Sequence, residues 1–483
     1  MHTACATIGS MKTETRHIES TPIAHERAKR LIATAAALTM LLFSSWSLNC
    51  NLFPLYASHV FMLREICTLT NGAALVALAF ISISRPNAIK PAIFFLLSLF
   101  CTVLGGALVW GGNAADSTVA LVAGACITSV AEGACTIIVM LAIVSLESRA
   151  AMACIIVGEL ASIALRPLCP IGYSDEMLLV HIALTLGAAL LSALPAKNVV
   201  ESMRDDTPAR DLAITQPASF LPFGHQLFIC LFLFRILYGL MLTFGESGGA
   251  PVHSSVDFIP PLILLIILAT RRRITADGLF KAAMLFAVAG LLLMPASGIV
   301  SFAAIQGFLS LAVVIFEVFN LVVLVSLSRR NVHNALAVFS WGWALNSIGV
   351  VLGANMGRAI NASWTENLSF SVLATAVLTF CFVAYVILFL QGFNFEKTIS
   401  EVEEPSPVIP LAIEEPAVKS IDLCCDELSE ECGLTKRERE VLGLLARGRS
   451  GVFIQNELVV SYNTVKSHVK HIYMKTGALL IRS

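Results

Sequence analysis

Between about residues 31 and 391 the chain is built from apolar runs of about 20 residues that carry almost no charge, separated by short polar breaks. A bilayer-spanning helix needs about 20 such residues, because the hydrocarbon core is about 30 Å thick and a helix rises about 1.5 Å per residue. Lipid offers no water to an unpaired N–H or C=O, so runs of this kind must close their hydrogen bonds internally, as helices. Of 483 residues, 57% are hydrophobic and only 13% charged, against about 45–50% and about 25% in soluble domains. A packed soluble core does not account for that deficit. Neither a disordered chain, nor a disulfide scaffold, nor an ordinary cytosolic enzyme fits it. The expected fold class is all-α: a polytopic helical membrane bundle followed by a small C-terminal soluble domain.

The apolar region divides into spans at about 31–53, 66–84, 91–111, 118–145, 150–168, 177–195, 223–245, 256–270, 278–297, 301–327, 332–357 and 368–391. That makes about twelve, with the longest hydrophilic break, 196–222, in the middle. The fourth and tenth are long and end alike, Val144-Ser145-Leu146 before Arg149 and Val325-Ser326-Leu327 before Arg329 and Arg330. Each also holds an isolated acid, Glu132 and Glu317. A 6+6 duplication accounts for the pattern. One side of the spans collects sixteen Lys and Arg, among them Arg271, Arg272, Arg273, Arg329 and Arg330; the other has Arg64, Arg166 and Arg358. Basic loops stay in the cytoplasm, so both termini are expected there. Residues 1–30 then form a cytoplasmic N-terminal tail, too polar and too long for a cleavable signal peptide.

In span count, duplication and central loop, 31–391 resembles the major-facilitator transporters. The resemblance is architectural and covers about three quarters of the chain. The family's Gly/Asp/Arg signature between the second and third spans is not met: that loop reads Ser84-Arg85-Pro86-Asn87-Ala88-Ile89-Lys90. Ionisable groups inside a membrane are costly and mark functional sites by default. Glu132, Glu159, Arg235 and Glu317 qualify, with His181 and His225 nearer the span ends. Two roles fit them. One is a ligand or proton site in a central cavity, with Arg235 facing an anion or carboxylate. The other is a structural pair in which Arg235 meets a glutamate and holds the two halves together. Gly349, Gly353 and Gly357 recur every four residues and let another helix approach closely, either within the chain or across a homodimer seam. Pro260-Pro261 is expected to break the backbone ladder of the short eighth span.

From Glu396 onward the chain reads as soluble. Residues 398–433 hold ten acids against the single base Lys419, and residues 434–483 hold nine Lys/Arg against Glu438, Glu440 and Glu457. An acidic stretch thus precedes a basic module. The prolines and glutamates of 392–433 have the composition of a disordered linker, which as coil would span roughly 36 Å. Its acids either compete with DNA phosphates for the basic module or form a solvated spacer. Cys424, Cys425 and Cys432 lack a zinc-type ligand pattern, and no metal or cofactor is expected.

In the basic module Thr435 and Glu438 form a capping box for a helix carrying Val441, Leu442 and Leu445 on one face, and Gly448 is placed to end it. A second helix follows over about 450–458, and residues 459–462 turn into a third. On that third helix Val465, His468, Val469 and Ile472 share a buried arc, while Lys466, Ser467, Lys470, His471 and Met474 lie opposite. A helix with an apolar back and a cationic front is what major-groove reading requires. Asn463, Thr464 and Lys475 sit at its shoulders, where phosphates run.

Leu434-Thr435, Arg437-Glu438, Glu440-Val441-Leu442, Gly448, Ser450, Ile454, Asn463-Thr464-Val465-Lys466, His468-Val469, Ile472-Tyr473 and Lys475 stand at spacings that resemble the LuxR-type helix-turn-helix. The resemblance implies base contacts from Lys466, Ser467 and Lys470, and phosphate clamps from Asn463, Thr464 and Lys475. Family members carry a small residue where Gln455 stands, and they continue past the glycine matching Gly477 into a fourth helix with dimer contacts. Only Ala478–Ser483 follow here, which either delegates dimerisation to the membrane half or marks a truncated chain. The expected function is a membrane-anchored bacterial transcriptional regulator in the cytoplasmic (inner) membrane, multi-pass. Its partners would be double-stranded DNA, the lipid bilayer, an unknown small-molecule ligand and a second copy in a homodimer. The alternative is a secondary transporter with a regulatory DNA-binding appendix. No Ser/His/Asp set, phosphate loop or metal spacing points to an enzyme.

Overall fold

The computed structural model describes residues 2–57, 59–60, 62–168, 176–204, 209–244, 246, 254–296, 299–366, 368–390, 392–405 and 421–477, with the side chains of 2–24, 209, 364–366, 368 and 371 outside the description. The described residues form helices without a strand. The first half contains α1 (His2–Ser47), α2 (Phe53–Tyr56), α3 (Leu63–Ser84), α4 (Pro91–Ala114), α5 (Thr118–Val144), α6 (Ser148–Leu165) and α7 (Glu176–Ser202). A short α8 (Ala209–Thr215) lies in the central connection. The second half contains α9 (Gln226–Thr243), α10 (Ile259–Ala269), α11 (Ala276–Leu293), α12 (Phe302–Arg330), α13 (Ala335–Glu366) and α14 (Leu368–Phe389). Then come α15 (Phe395–Ser400), α16 (Ile421–Glu431), α17 (Lys436–Ala446), α18 (Gly451–Leu458) and α19 (Tyr462–Lys475).

Among the described residues eleven helices are long and apolar enough to cross a bilayer. The expected eighth span, 256–270, is the 11-residue α10, only about 16 Å long. Pro260-Pro261 does not break it. Both prolines sit in its first turn, where a missing N–H would be unpaired anyway. The break falls in the first span instead, where a π turn at Leu48–Leu52 separates α1 from α2. Pro54, at the start of α2, has no N–H to continue the ladder. The boundary expected at residue 31 is not a structural one, because α1 runs through it unbroken.

Side-chain exposure separates the helices into layers. In the most apolar 18-residue stretches of α5 and α12, 78% and 72% of residues are buried, against 11% in α14. The two long spans that resemble each other in sequence are therefore the central ones. Leu96, Phe100, Leu194, Phe380 and Leu388, all more than half exposed, form an apolar outer surface of the kind lipid covers.

The glycine repeat of α13 is occupied from within the chain. At Gly349, Gly353 and Gly357 the backbone of α9 comes so close that a Cβ would meet Phe232, Ile236 and Leu240. α13 also packs along α3 of the first half, so this seam joins helices of one molecule. The stretch 392–433 is not coil throughout. Phe395, Ile399 and Val402 are buried in the main membrane-side core, and the N–H groups of Phe395 and Glu396 donate to Asp277 at 2.9 and 3.2 Å. Residues 406–420, which carry much of the expected linker, lie outside the described residues.

Gly353→Ala is expected to lower the melting temperature of the purified protein sharply, since the blocking atom is the Ile236 carbonyl oxygen and overpacking costs about 1–3 kcal/mol or more. Gly111→Ala, with nothing near the added carbon, should leave it unchanged.

Candidate functional site

The basic module folds as its local sequence dictates. Thr435 Oγ1 accepts the Glu438 N–H at 3.3 Å, and the Thr435 N–H donates to Glu438 Oε2 at 2.7 Å, which completes the capping box. Gly448 at φ 68° ends α17. Ser450 and Ser461 cap α18 and α19 by accepting from Phe453 and Thr464. The turn between these helices places Val459 at φ 52°, a left-handed conformation that a β-branched residue rarely adopts. Val441, Ile454, Val465, Val469 and Ile472, all at or below 3% exposure, form the core beneath α19.

That core sets the orientation of α19. Asn463, Lys466, Ser467, Lys470 and His471 are exposed on its outer side, Thr464 is half-buried, and His468 is half-buried toward the core. Thr464 Oγ1 lies 2.7 Å from Ser461 Oγ, which ties it to the cap. Lys475 stays exposed but is tied to the module: its Nζ donates to Glu438 Oε2 at 2.6 Å and to the Gly433 carbonyl at 3.2 Å. His471 Nδ1 lies 3.7 Å from the other Glu438 oxygen. The exposed front thus consists of Asn463, Lys466, Ser467, Lys470 and His471, with His471 and Lys475 also close to Glu438. The acidic stretch does reach the basic module, but on α17. Arg447 donates to Asp422 and Arg439 to Asp426, both at 2.5 Å. Cys424, Cys425 and Cys432 are free, and no metal-holding group of His, Cys, Asp or Glu occurs among the described residues. Residues 478–483, where a fourth helix is expected to be missing, lie outside the described residues.

In the membrane half, Glu132, Glu159, Arg235 and Glu317 all line one cavity of about 320 Å³. Its walls come from both halves, with α1, α3, α5 and α6 of the first and α9, α12 and α13 of the second all contributing side chains. Arg235 makes a two-pronged pair with Glu317, at 2.5 and 2.7 Å. Both residues belong to the second half, so this pair does not hold the two halves together. Other residues do. Arg64 donates to Glu246 at 3.1 Å, Arg358 to Glu65 at 2.7 Å, and Arg166 to Asp257 at 3.2 Å. These are the three arginines of the sparse side, and each bridges the halves. Their acids follow no sequence pattern and stand alone at helix ends and in loops. Glu159 is 4% exposed, with Oε2 unpartnered. His181 is buried on the Ser44 hydroxyl at 2.8 Å, and His225 caps α9.

Residues 433–479 match the family described as bacterial regulatory proteins, luxR family. Over 51 residues, 11% of this chain, the sequence is 45% identical to the HTH-type transcriptional regulator MalT of Yersinia pestis (strain Pestoides F). It is equally similar to that of Yersinia pseudotuberculosis serotype O:3 (strain YPIII). The match spans 6% of the length of those relatives. The membrane half shares its fold with the MFS (major facilitator superfamily) proton:xylose symporter XylE bound to 6-bromo-6-deoxy-D-glucose. That likeness has a TM-score of 0.53 at 11% identity and covers 79% of this chain and 100% of that one. The chain is a multi-pass helical membrane protein of major-facilitator-like fold with a LuxR-type helix-turn-helix near its C-terminus.

Burial alone would raise the Glu438 carboxyl. The Lys475 ammonium and the N–H and hydroxyl of Thr435 outweigh it and hold the group at about 2, from 4.5. A depressed carboxylate stabilises the fold above its unfolded value and ceases to do so as pH falls through its folded value. Amide exchange of α17–α19 in the full chain should therefore be slower in the wild type than in Glu438→Gln above about pH 5. The difference should shrink as pH falls from 4.5 toward 2. A difference independent of pH would contradict this account.

Proposed function

We propose that the chain is a membrane-anchored transcriptional regulator that binds double-stranded DNA through α19 and senses a small molecule in the cavity of its membrane half. The observation that carries the proposal is the capped helix-turn-helix whose third helix buries Val465, Val469 and Ile472 and exposes Asn463, Lys466, Ser467 and Lys470. One helix fits the major groove, and exposed lysines there reach base edges and phosphates. In this proposal 1–30 is the N-terminal tail, 31–391 the membrane domain, 392–433 the connector and 434–483 the DNA reader. Both termini face the cytoplasm of a bacterium and the spans lie in its inner membrane. The basic bias supports this orientation, because the sparse side's three arginines are all committed to acids. No catalytic role is assigned to any residue.

The sensor site is the cavity bearing Glu132, Glu159, Arg235 and Glu317. Arg235 is neutralised by Glu317 and Arg166 by Asp257, which leaves Glu132 and Glu159 to accept from a ligand. A small molecule that donates hydrogen bonds fits that arrangement. The second proposal, a transporter with a DNA-binding appendix, rests on the symporter-like fold and on a cavity lined by both halves.

Promoter occupancy in the native cell separates the two. Discrete promoters should be occupied by the wild type and lost in a Lys466→Ala/Lys470→Ala variant, by about ten-fold or more if each contact carries about 1–3 kcal/mol. Substrate uptake by membrane vesicles without any promoter occupancy would favour the transporter.

A further inference from the structure

The DNA-reading module is docked on the membrane half through α8, in the connection between the two sets of spans. Four contacts make the joint. Ile214, 5% exposed, joins the module's own core with Val441, Ile454 and Val465. Asp211, 1% exposed, accepts from the Tyr462 hydroxyl at 3.1 Å and from the Val452 backbone N–H. The Arg210 guanidinium lies 3.6 Å from the centre of the Tyr462 ring. The Tyr473 hydroxyl donates to the Thr215 carbonyl at 2.5 Å.

The chemistry of this joint resembles that of a protein–DNA backbone contact. A buried carboxylate takes an N–H at the start of α18 together with a hydroxyl on the first turn of α19. DNA phosphates are bound by such groups, backbone N–H at helix starts and tyrosine hydroxyls, beside the helix that reads the bases. Tyr462 and Tyr473, eleven residues apart, lie on nearly the same line along α19, and Lys466 lies next to that line. A phosphate and Asp211 cannot share the same donors, since two like charges would be brought within a few ångströms.

We propose that α8 is an internal competitor of DNA: it docks on the face formed by Val452, Tyr462 and Tyr473, with Asp211 in the place of a backbone phosphate, so docking and DNA binding exclude each other. The inference rests on the reading of α19 as a DNA-binding helix. Because α8 belongs to the connection between the two halves, a rearrangement of the halves bears directly on the docked segment. The tether at 392–433 need not transmit force.

The test uses the full chain in phosphatidylcholine nanodiscs, with a mixed-sequence 30-base-pair duplex as probe at low salt. Ile214→Arg places an unpaired charge in the module's core and should undock α8. Asp211→Asn keeps the shape of the joint and removes its charge. Both should tighten DNA binding, Ile214→Arg on the order of ten-fold or more, the ratio that one charge-assisted hydrogen bond carries. Amide exchange around Tyr462 and Tyr473 should rise in Ile214→Arg. Faster exchange with unchanged DNA affinity would overturn the competition, and unchanged exchange would overturn the docking. If wild type, Ile214→Arg and Asp211→Asn all fail to bind the duplex, the DNA-binding reading fails as well, a result distinct from binding that ignores the joint.

Discussion

Three part-buried ion pairs between the two sets of spans tie the halves of the membrane domain together. Arg64 with Glu246, Arg358 with Glu65, and Arg166 with Asp257 each take one partner from either half. Arg64 and Arg358 share Glu65 and Glu246 in one network, and removing a charge from such a part-buried cluster leaves its partners less compensated, so the halves meet at this end in a discrete arrangement. Toward the opposite end the halves meet through single bonds to backbone, Arg149 to the Leu268 carbonyl and Arg329 to the Val144 carbonyl, both at 3.1 Å. The cavity lies in the contact between the halves, so its occupant touches both. That position suits sensing and transport alike. What distinguishes the chain is what its second half carries beyond α14.

Much of this architecture was legible because lipid restricts the alternatives so severely. Long apolar runs had to be helices, and the kinship of the fourth and tenth spans pointed to a duplication; that α5 and α12 are central and bring Glu132 and Glu317 to one cavity is visible only in the structure. The capping box and the arc of Val465, Val469 and Ile472 gave the orientation of α19. The failures share a cause: they concern partners far apart in sequence. A pairing of Arg235 with a glutamate was legible, but which glutamate was not, and the pair with Glu317 lies within one half instead of joining the two. Arg64, Arg166 and Arg358 were counted for orientation, although their energetic role is to bridge. Lys475 was read from its position on the helix wheel, and its bond to Glu438, 37 residues earlier, was not legible there.

The central connection was read only as the longest polar break, because α8 has seven residues and too few apolar positions for a period to show. Its meaning appears only when Ile214 is found among the side chains of a module more than two hundred residues later. Similarly, the Pro/Glu composition of 392–433 concealed Phe395 and Ile399, two buried anchors that fix the start of the connector. A tether of this kind restrains the module near the membrane, while the orientation of the module comes from α8. Local sequence thus specifies each part well and specifies their assembly poorly.

In the proposed arrangement a membrane protein displays a DNA-binding face on its cytoplasmic side. Duplex DNA sedimented with membrane vesicles of defined sidedness tests it most directly. Inside-out vesicles carrying the chain should retain the duplex at low salt and release it steeply as salt rises, since phosphate contacts liberate counterions, while right-side-out vesicles should retain none. Retention no greater than that of vesicles lacking the protein, or retention confined to right-side-out vesicles, would contradict the account.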